Sequence, residues 1–468
     1  MRTTTYILLL ALCLTSGCKK YIDVNNDPNN PTTVQEALIL APVELNLSTV
    51  LTGGAYYNST GFAAILANHY MQNIALNQPV PNEGTYQLFN INLDDSWKSI
   101  YVVGLNNLKA LHDKAITNEN YNYSGIANIL SAFCLGIATD YWGDIPYSEA
   151  FNGNTKLKPV YDSQESIYKS IQQLLDDGIA DINKNATLTP GDDDYYYGGD
   201  MDQWKRLAYT LKARYYMHLT KAPGYTAAGQ ASLALAALQN GMQDNDDDMK
   251  MTYPGSAGFE NPWYLNFLSV STIVLSSACV DTLVTRNDPR LPKLIAKAKS
   301  TGLYNGRPIG SINISGSLNV YSLPGMAVGA ASSPVYVLNY SEALFLKAEA
   351  TLIRSGFAAA EPIYQDAIKS HMTKLGIAAG DINTYLADRG ALTATNALQR
   401  IMEEKKIANF LSIENFNDWR RTGFPLLTKV PNALSDIPRR LLYPQVELTS
   451  NPQSIQTAKL TDRVWWDQ

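Results

Sequence analysis

The chain has 468 residues, a net charge of −6, and charged side chains at only 17% of positions. This balance argues against a nucleic-acid or other polyanion partner, because such surfaces are built from clustered Lys and Arg. A hydrophobic content of 46% allows a substantial core, and 29 Tyr residues suit wet surfaces that meet neutral polar ligands. The simpler alternative is that Tyr and Asn fill the loops of an extracytoplasmic protein.

The N-terminus carries a short apolar run followed by small residues and a Cys. Residues 6–14 are too few to span a bilayer, so residues 1–17 are predicted to be a cleaved export signal. The sequence TSGC ending at Cys18 resembles a bacterial lipoprotein processing site, although Leu14 lies one place further from the Cys than is usual. We therefore expect Cys18 to be lipidated, anchoring the chain through several acyl chains, and residues 18–36 to form a polar tether.

Beyond the signal, no segment has the roughly eighteen uninterrupted apolar residues that a membrane span requires. The mature chain is thus predicted to be anchored to a membrane rather than to cross it. Removal of the signal leaves Cys134 and Cys279 besides the anchor. Cys134 lies in an apolar helical run, so it is expected to be a buried free thiol rather than a disulfide partner or metal ligand.

Residues 37–468 are predicted to form one mainly α-helical domain. Helical patterns beginning at Trp97 and at Trp204 share nearly the same spacing and resemble the first helix of a tetratricopeptide unit. The segment from Tyr340 to Gly376 predicts two helices separated at Gly356, whose alanines allow close packing as a hairpin. Such a hairpin needs neighbours to cover its apolar faces.

Long irregular segments separate these helices. Residues 77–95 form a predicted loop with several Pro, Gly and aromatic residues, and loops of this length are commonly functional or disordered. Residues from about 243 to 337 are rich in Gly, Pro, Ser and Asn, with only short apolar runs. The fold expected is therefore a set of tetratricopeptide-like hairpins interrupted by a large loop-rich insertion.

The sequence gives little support for catalysis. Its four His residues are scattered without metal-binding spacing, and it has no nucleophile elbow, phosphate loop or dinucleotide fingerprint. The acidic runs at 192–194 and 244–248 do not fit a calcium loop and are predicted to be solvated. No cofactor, metal or catalytic residue is therefore predicted. Two carboxylates suffice for glycoside hydrolysis, which spacing alone does not exclude.

Aromatic residues in the loops are more informative, because sugar rings stack on aromatic faces and amides pair with their hydroxyls. The predicted ligand-binding residues are Trp263, Tyr264 and Asn261 in the insertion, and Tyr86 and Gln87 in the earlier loop. The alternative for Trp263 is that it pins the insertion to the core.

Several stretches resemble the SusD/RagB family of outer-membrane lipoproteins, in particular its SusD-like branch in Bacteroidota. The stretches follow the expected order along nearly the whole mature chain: DVNNDPNNPT, DYWGDIPYSEA, NYSEALFLKAEA, NFNDWRRTGFP, IPRRLLYPQVELTSNP and the closing RVWWDQ. Their combination is specific, whereas each alone is weak.

This resemblance implies four tetratricopeptide-like hairpins, with the ligand face built by the insertion on the opposite side. It also implies a surface-exposed outer-membrane lipoprotein that captures oligosaccharides as the lid of a SusC-like TonB-dependent transporter, without catalysis. The same role for peptides or another nutrient, a surface glycoside hydrolase, and a lid without a soluble ligand are the alternatives. The signature motifs at Trp142, Gly143 and Trp419 are expected to hold the scaffold together rather than bind ligand.

Overall fold

The computed structural model of the chain describes residues 35–53, 59–268 and 272–468. The predicted export signal, the lipidation site Cys18 and the tether up to residue 34 lie outside the described residues.

The described residues are mainly helical. The helices are α1 (Ala37–Thr52), α2 (Phe62–Tyr70), α3 (Asp94–Lys98), α4 (Asn106–Thr117), α5 (Tyr121–Trp142), α6 (Gln164–Ile182), α7 (Met201–His218), α8 (Ala227–Leu238), α9 (Pro262–Asn266), α10 (Ser277–Thr285), α11 (Leu291–Leu294), α12 (Tyr340–Ser355), α13 (Phe357–Lys374), α14 (Ala379–Arg389), α15 (Ala397–Ala408), α16 (Glu414–Thr422) and α17 (Gln445–Ser450). A π-helix, Ser99–Leu105, joins α3 to α4.

Short antiparallel strand pairs complete the secondary structure. The strands are β1 (Ile74–Leu76), β2 (Ile145–Pro146), β3 (Tyr161–Asp162), β4 (Met249–Met251), β5 (Ile273–Leu275), β6 (Ile295–Ala296), β7 (Leu323–Pro324) and β8 (Val335–Leu338). They pair as β1 with β5, β2 with β3, β4 with β8 and β6 with β7. Of these pairings, β1 with β5 ties the insertion to an earlier part of the chain, β4 with β8 joins the two ends of the insertion, and β6 with β7 lies within it.

The predicted hairpin is present as α12 and α13. Asn339 begins α12 by accepting a hydrogen bond from the backbone N–H of Glu342, and Gly356 separates the helices with a φ of 82°. Ala348 and Ala360 are buried without residual exposure, as close packing of the two helices requires. The helical hairpin fold expected from the sequence is confirmed.

The helices form a continuous array. Each helix from α4 to α8 packs on the next along the chain, α8 packs on α12, and α12 packs on α13 and α15. The pair α5 and α6 comes especially close at Gly125 and Gly178, because a Cβ atom on either would lie 2.9 Å from the other's carbonyl oxygen. The apolar faces that one hairpin cannot cover are thus covered by its neighbours.

The segment between α8 and α12 holds only short helices and strands, in agreement with the expected loop-rich insertion. The two ends of the insertion are fixed to the helical array. The strand β4 follows α8 closely, β8 runs directly into α12, and the two strands pair with each other. The insertion therefore begins and ends at one place on the scaffold, and its other strands reach the β1 segment through β5.

The signature motifs hold the chain's end to its middle, as expected. Trp142 donates its indole N–H to the carbonyl oxygen of Leu442 at 2.8 Å, and Gly143 reverses the chain with a φ of 79°. Arg439 binds the Asp467 carboxylate with its Nε 2.6 Å from Oδ2. The first contact fixes α5 against the C-terminal segment, and the second joins two parts of that segment to each other.

Both described cysteines, Cys134 and Cys279, are buried free thiols. The expectation for Cys134 is confirmed, and burial raises the pKa of its thiol to about 12, so it is protonated and unreactive. Within the described ranges, no helix is long and apolar enough to cross a membrane.

Candidate functional site

Three loops that are far apart in sequence meet on one surface, which we call the loop face: residues 77–93, 305–322 and 425–437. Asn77 joins the first two loops, since its Nδ2 donates to the Ser315 carbonyl oxygen at 2.8 Å and its Oδ1 accepts from the Ser315 N–H at 3.0 Å. The third loop is joined by Asn432, which donates to the carbonyl oxygen of Gly310 at 2.9 Å. The three loops are thereby held to one another by side-chain hydrogen bonds to the backbone.

Arg307 organises the centre of the loop face. Its side chain is buried, and its Nε donates to the carbonyl oxygen of Leu76 at 2.7 Å. The other end of the guanidinium donates to the Tyr321 hydroxyl at 3.0 Å and to the carbonyl oxygen of Asn313 at 2.7 Å. One buried cation therefore fixes the shape of the 305–322 loop against β1.

The loop face exposes large apolar side chains. Those exposed over half or more of their surface are Phe89 (60%), Ile91 (66%), Ile312 (70%), Ile314 (51%), Leu426 (74%) and Leu434 (59%). Single exposed apolar residues are ordinary, but several on neighbouring loops of one surface are typical of a place where something binds.

The predicted site residues of the insertion have structural contacts. Asn261 is fully buried and begins α9, because its Oδ1 accepts from the backbone N–H groups of Trp263 and Tyr264 at 2.6 and 3.2 Å. Trp263 is only 4% exposed, packs against Phe267 and lines an internal cavity of about 60 Å³. Of these three residues, only Tyr264 keeps a partly exposed side chain.

The two residues predicted in the earlier loop lie on the loop face. Tyr86 is 2% exposed, has a φ of 69°, and packs edge-on against Tyr70 at a centroid distance of 5.8 Å. Gln87 is partly exposed, and its backbone N–H donates to the carbonyl oxygen of Asn82 at 3.0 Å. A role for all five residues in ligand binding stays a prediction, with Tyr264 and Gln87 the most accessible.

The acidic runs are solvated only in part: the first residue of each run is exposed, as expected, but the last residues are buried. Asp194 is buried and accepts hydrogen bonds from the Gly199 N–H at 2.9 Å and the Trp204 indole N–H at 2.7 Å. Asp247 pairs with Arg206, and Asp248 is also buried. These carboxylates are used to hold α7 and β4 in place. Among the residues that the structure describes, no cluster of possible metal ligands occurs.

Arg307 and the third loop could not be identified from the sequence. Arg307 lies in a Gly-rich stretch, GRPIG, whose sequence gives no indication that the guanidinium is buried. Its partner Leu76 is 231 positions away, so no local pattern could reveal the contact. The N-cap role of Asn261, by contrast, has a local signal: Asn followed by Pro is the usual order of an N-cap and the first helical residue.

Comparison with known proteins assigns nearly the whole chain to one family. A family model described as "Starch-binding associating with outer membrane" matches residues 28–444. No curated protein sequence matches the chain.

Solved structures share the fold. A chitin-binding protein has 26% identity and a TM-score of 0.79, with 92% of this chain and 100% of that chain covered. A chitin-binding SusD homologue from Flavobacterium johnsoniae has 25% identity and a TM-score of 0.80, covering 92% and 98%. A SusD/RagB family protein from Bacteroides thetaiotaomicron has 24% identity and a TM-score of 0.75, covering 93% and 99%. This chain therefore belongs to the SusD-like family of carbohydrate-binding, outer-membrane-associated proteins.

Proposed function

We propose that this protein is a surface-exposed outer-membrane lipoprotein that captures oligosaccharides and acts as the lid of a SusC-like TonB-dependent transporter. The observation that carries the proposal is the family match over residues 28–444, supported by two structural relatives that are named as chitin-binding. The loop face provides a surface on which a ligand could rest, with the helical array behind it.

Chitin and starch fragments are the first ligands to test, because the relatives and the family description name those polymers. Both are uncharged chains of sugar rings, whose apolar faces can stack on rings while their hydroxyls bond to amides. Tyr264 and Gln87 are the two predicted residues with side chains available for such contacts.

The primary experiment is calorimetry or affinity electrophoresis of the soluble chain that begins after Cys18. The panel contains chito-oligosaccharides, malto-oligosaccharides and a peptide digest. We expect binding to one oligosaccharide series and none to the peptides. Binding to peptides alone would replace the proposed ligand by the peptide alternative, and release of reducing sugar during prolonged incubation would instead support a glycoside hydrolase.

Two substitutions in α9 separate ligand contact from folding. Tyr264→Ala should weaken binding to the preferred glycan by about 1 to 3 kcal/mol if its ring touches the sugar, with the unfolding transition little changed. Trp263→Ala removes a buried ring and should instead lower the free energy of unfolding by about 3 to 5 kcal/mol. Unchanged glycan affinity in a folded Tyr264→Ala variant would remove this residue from the proposed site.

The proposed anchor and transporter partner need a separate experiment in the native cell. A C-terminally tagged chain should fractionate with the outer membrane and co-purify with a large TonB-dependent barrel. The Cys18→Ala variant should lose its lipid and leave the membrane fraction. An unlipidated wild-type chain, or one recovered without such a barrel, would contradict this part of the proposal.

A further inference from the structure

A second concave surface, lined by none of the predicted site residues, runs along one side of the helical run from α3 to α4. One cavity of about 640 Å³ lies between α3, the π-helix, residues 146–159 and the start of α17. A second cavity of about 400 Å³ continues along α4 toward Asp113. The two share Ala150, Phe151 and Asn152 in their walls, and we call them together the trough.

The trough is long and narrow enough for an extended chain. It follows the helical run from Asp94 to Asp113, a distance of about 28 Å at the rise of an α-helix. Its volume is within the range of small-molecule sites, about 300 to 1,000 Å³ for each. A chain of several sugar rings fits this shape better than a single compact molecule does.

Aromatic rings form a stack that ends at the junction of the two cavities. Trp97 and Tyr101 are stacked at a centroid distance of 4.3 Å and an angle of 20°, and Phe151 continues the stack at 6.1 Å and 21° from Tyr101. Trp97 and Tyr101 are buried, whereas Phe151 is partly exposed and lines both cavities. The accessible ring of the stack is therefore Phe151.

The backbone at this point is under strain. Phe151 has a φ of 62°, a conformation that costs a bulky residue about 1 kcal/mol or more and is commonly kept where function requires it. The facing wall is the π-helix Ser99–Leu105, a rare structure that is also frequent at functional sites. Two independent irregularities thus converge on the same cavity.

The polar groups of the trough suit a neutral ligand. Asn106, Asn152 and Ser131 supply amide and hydroxyl groups along its length. Several of its charges are already paired with each other or with neighbouring groups: Lys109 binds Asp113 and Lys156 binds Glu149. Paired charges offer little to a polyanion, whereas amides and hydroxyls can bond to sugar hydroxyls.

We propose that the trough binds an extended, uncharged oligosaccharide, with Phe151 as the central stacking platform, at a site separate from the loop face. The ligand class rests on the proposed function, but the location rests on the cavity, the aromatic stack and the strained backbone. A protein with two such sites could hold one glycan chain at two points and so prefer longer chains.

The test measures affinity of the soluble chain for an oligosaccharide series of increasing length. Phe151→Ala should weaken binding of the longest oligomer by about tenfold, because the sugar loses the ring on which it stacks. Phe151→Tyr keeps an aromatic ring and should bind this oligomer as the wild type does. Leu157→Ala is the matched control, since this residue is in the same loop, 75% exposed and outside the trough walls. Asn106→Trp, on the opposite wall, should block the trough without touching the strained loop.

The outcomes separate the two proposals. Loss of affinity in both Phe151→Ala and Asn106→Trp, with Leu157→Ala unchanged, supports the trough. Full affinity in both variants while Gln87→Ala, on the loop face, binds weakly would overturn the trough and leave glycan capture at the loop face intact. Binding of no glycan by the wild-type chain, or of peptides only, would overturn the trough together with the proposed function.

Discussion

The helical array and the loop face are held together by different interactions. In the array, charged side chains pair with each other inside the core: Arg421 is 1% exposed, and its Nη2 lies 2.7 Å from the Glu349 carboxylate and 2.9 Å from that of Asp418. On the loop face, Arg307 bonds mainly to backbone carbonyl groups and a Tyr hydroxyl. The ion pairs fix one helix against another. The bonds of Arg307 fix the backbone of a loop, so that other residues of the loop can be substituted without loss of these bonds.

This difference suggests how one scaffold can carry different ligand specificities. Backbone carbonyl groups are present whatever side chain a loop position has, so a guanidinium that bonds to them tolerates sequence change around it. A side-chain ion pair does not, because loss of one partner leaves a buried charge. We therefore expect substitutions in the array to affect folding and those on the loop face to affect local order and binding.

The largest effect is expected from Arg421→Ala. Its removal leaves the buried Glu349 carboxylate without its cation and takes away one of the two cations paired with Asp418, which should lower the free energy of unfolding by about 3 to 5 kcal/mol. Urea denaturation followed by circular dichroism measures the change. Lys109→Ala is the control, because its pair with Asp113 is exposed and its loss should leave the midpoint unchanged. A midpoint equal to that of the wild type would contradict the buried-pair account.

A second effect in the array depends on pH. Burial disfavours the charged imidazolium of His218, but Glu414 and Asp140 outweigh this and raise the pKa of His218 to about 9. Its Nε2 lies 2.8 Å from Glu414 Oε1. Because this pKa is higher in the folded than in the unfolded chain, protonation stabilises the fold fully below about pH 6.5 and ceases to do so as pH rises through about 9.

The free energy of unfolding of the wild type minus that of His218→Gln should therefore fall between pH 6.5 and 9, by up to about 3 kcal/mol. The difference between the two proteins is used because Lys406, whose pKa burial lowers to about 8, titrates in the same window in both. His112→Gln, which alters a partly exposed ring, is the matched control. A difference that stays constant with pH would contradict a charged, ion-paired His218.

A smaller, local effect is expected from Arg307→Ala on the loop face. Loss of its hydrogen bonds should cost about 2 kcal/mol and loosen the 305–322 loop, while the helices keep their packing. Limited proteolysis should cut this loop faster, with a smaller shift of the unfolding midpoint than Arg421→Ala produces. Arg354→Ala, at an exposed position of α12, is the control. Cleavage at the wild-type rate would show that Arg307 does not order the loop.

The helical array could be predicted from the sequence because helix patterns and helix ends are set by residues close together in the chain. The boundary between α12 and α13 falls at Gly356, where a pattern of strong helix formers is interrupted. One local pattern misleads: Asp162 and Glu165 have the spacing that predicts a capping box at the start of α6, but Ser163 is the N-cap. The Asp162 carboxylate instead accepts from the backbone N–H groups of Tyr147 and Ser148 at 2.9 and 2.7 Å, contacts that no local pattern contains.

The loop face and the trough could not be predicted in the same way. Trp97 and Tyr101 were correctly expected on an amphipathic helix, but the cavity beside them requires residues 146–159 and α17 as well. The three loops of the loop face meet through contacts that span from 122 to 349 positions, such as Asn432 to Gly310 and Leu434 to Thr85. Composition indicated that loop aromatics are available, and only packing decides which of them are exposed.

We conclude that ligand is recognised at the loop face and in the trough, and that the hairpin of α12 and α13 only supports these surfaces. Hydrogen exchange of the soluble chain, with and without a saturating amount of the oligosaccharide that binds best, tests it most directly. We expect the oligosaccharide to slow exchange in residues 77–93, 305–322 and 146–159 and to leave exchange in the α12 and α13 hairpin unchanged. Slower exchange confined to the hairpin, with those three segments unchanged, would contradict it.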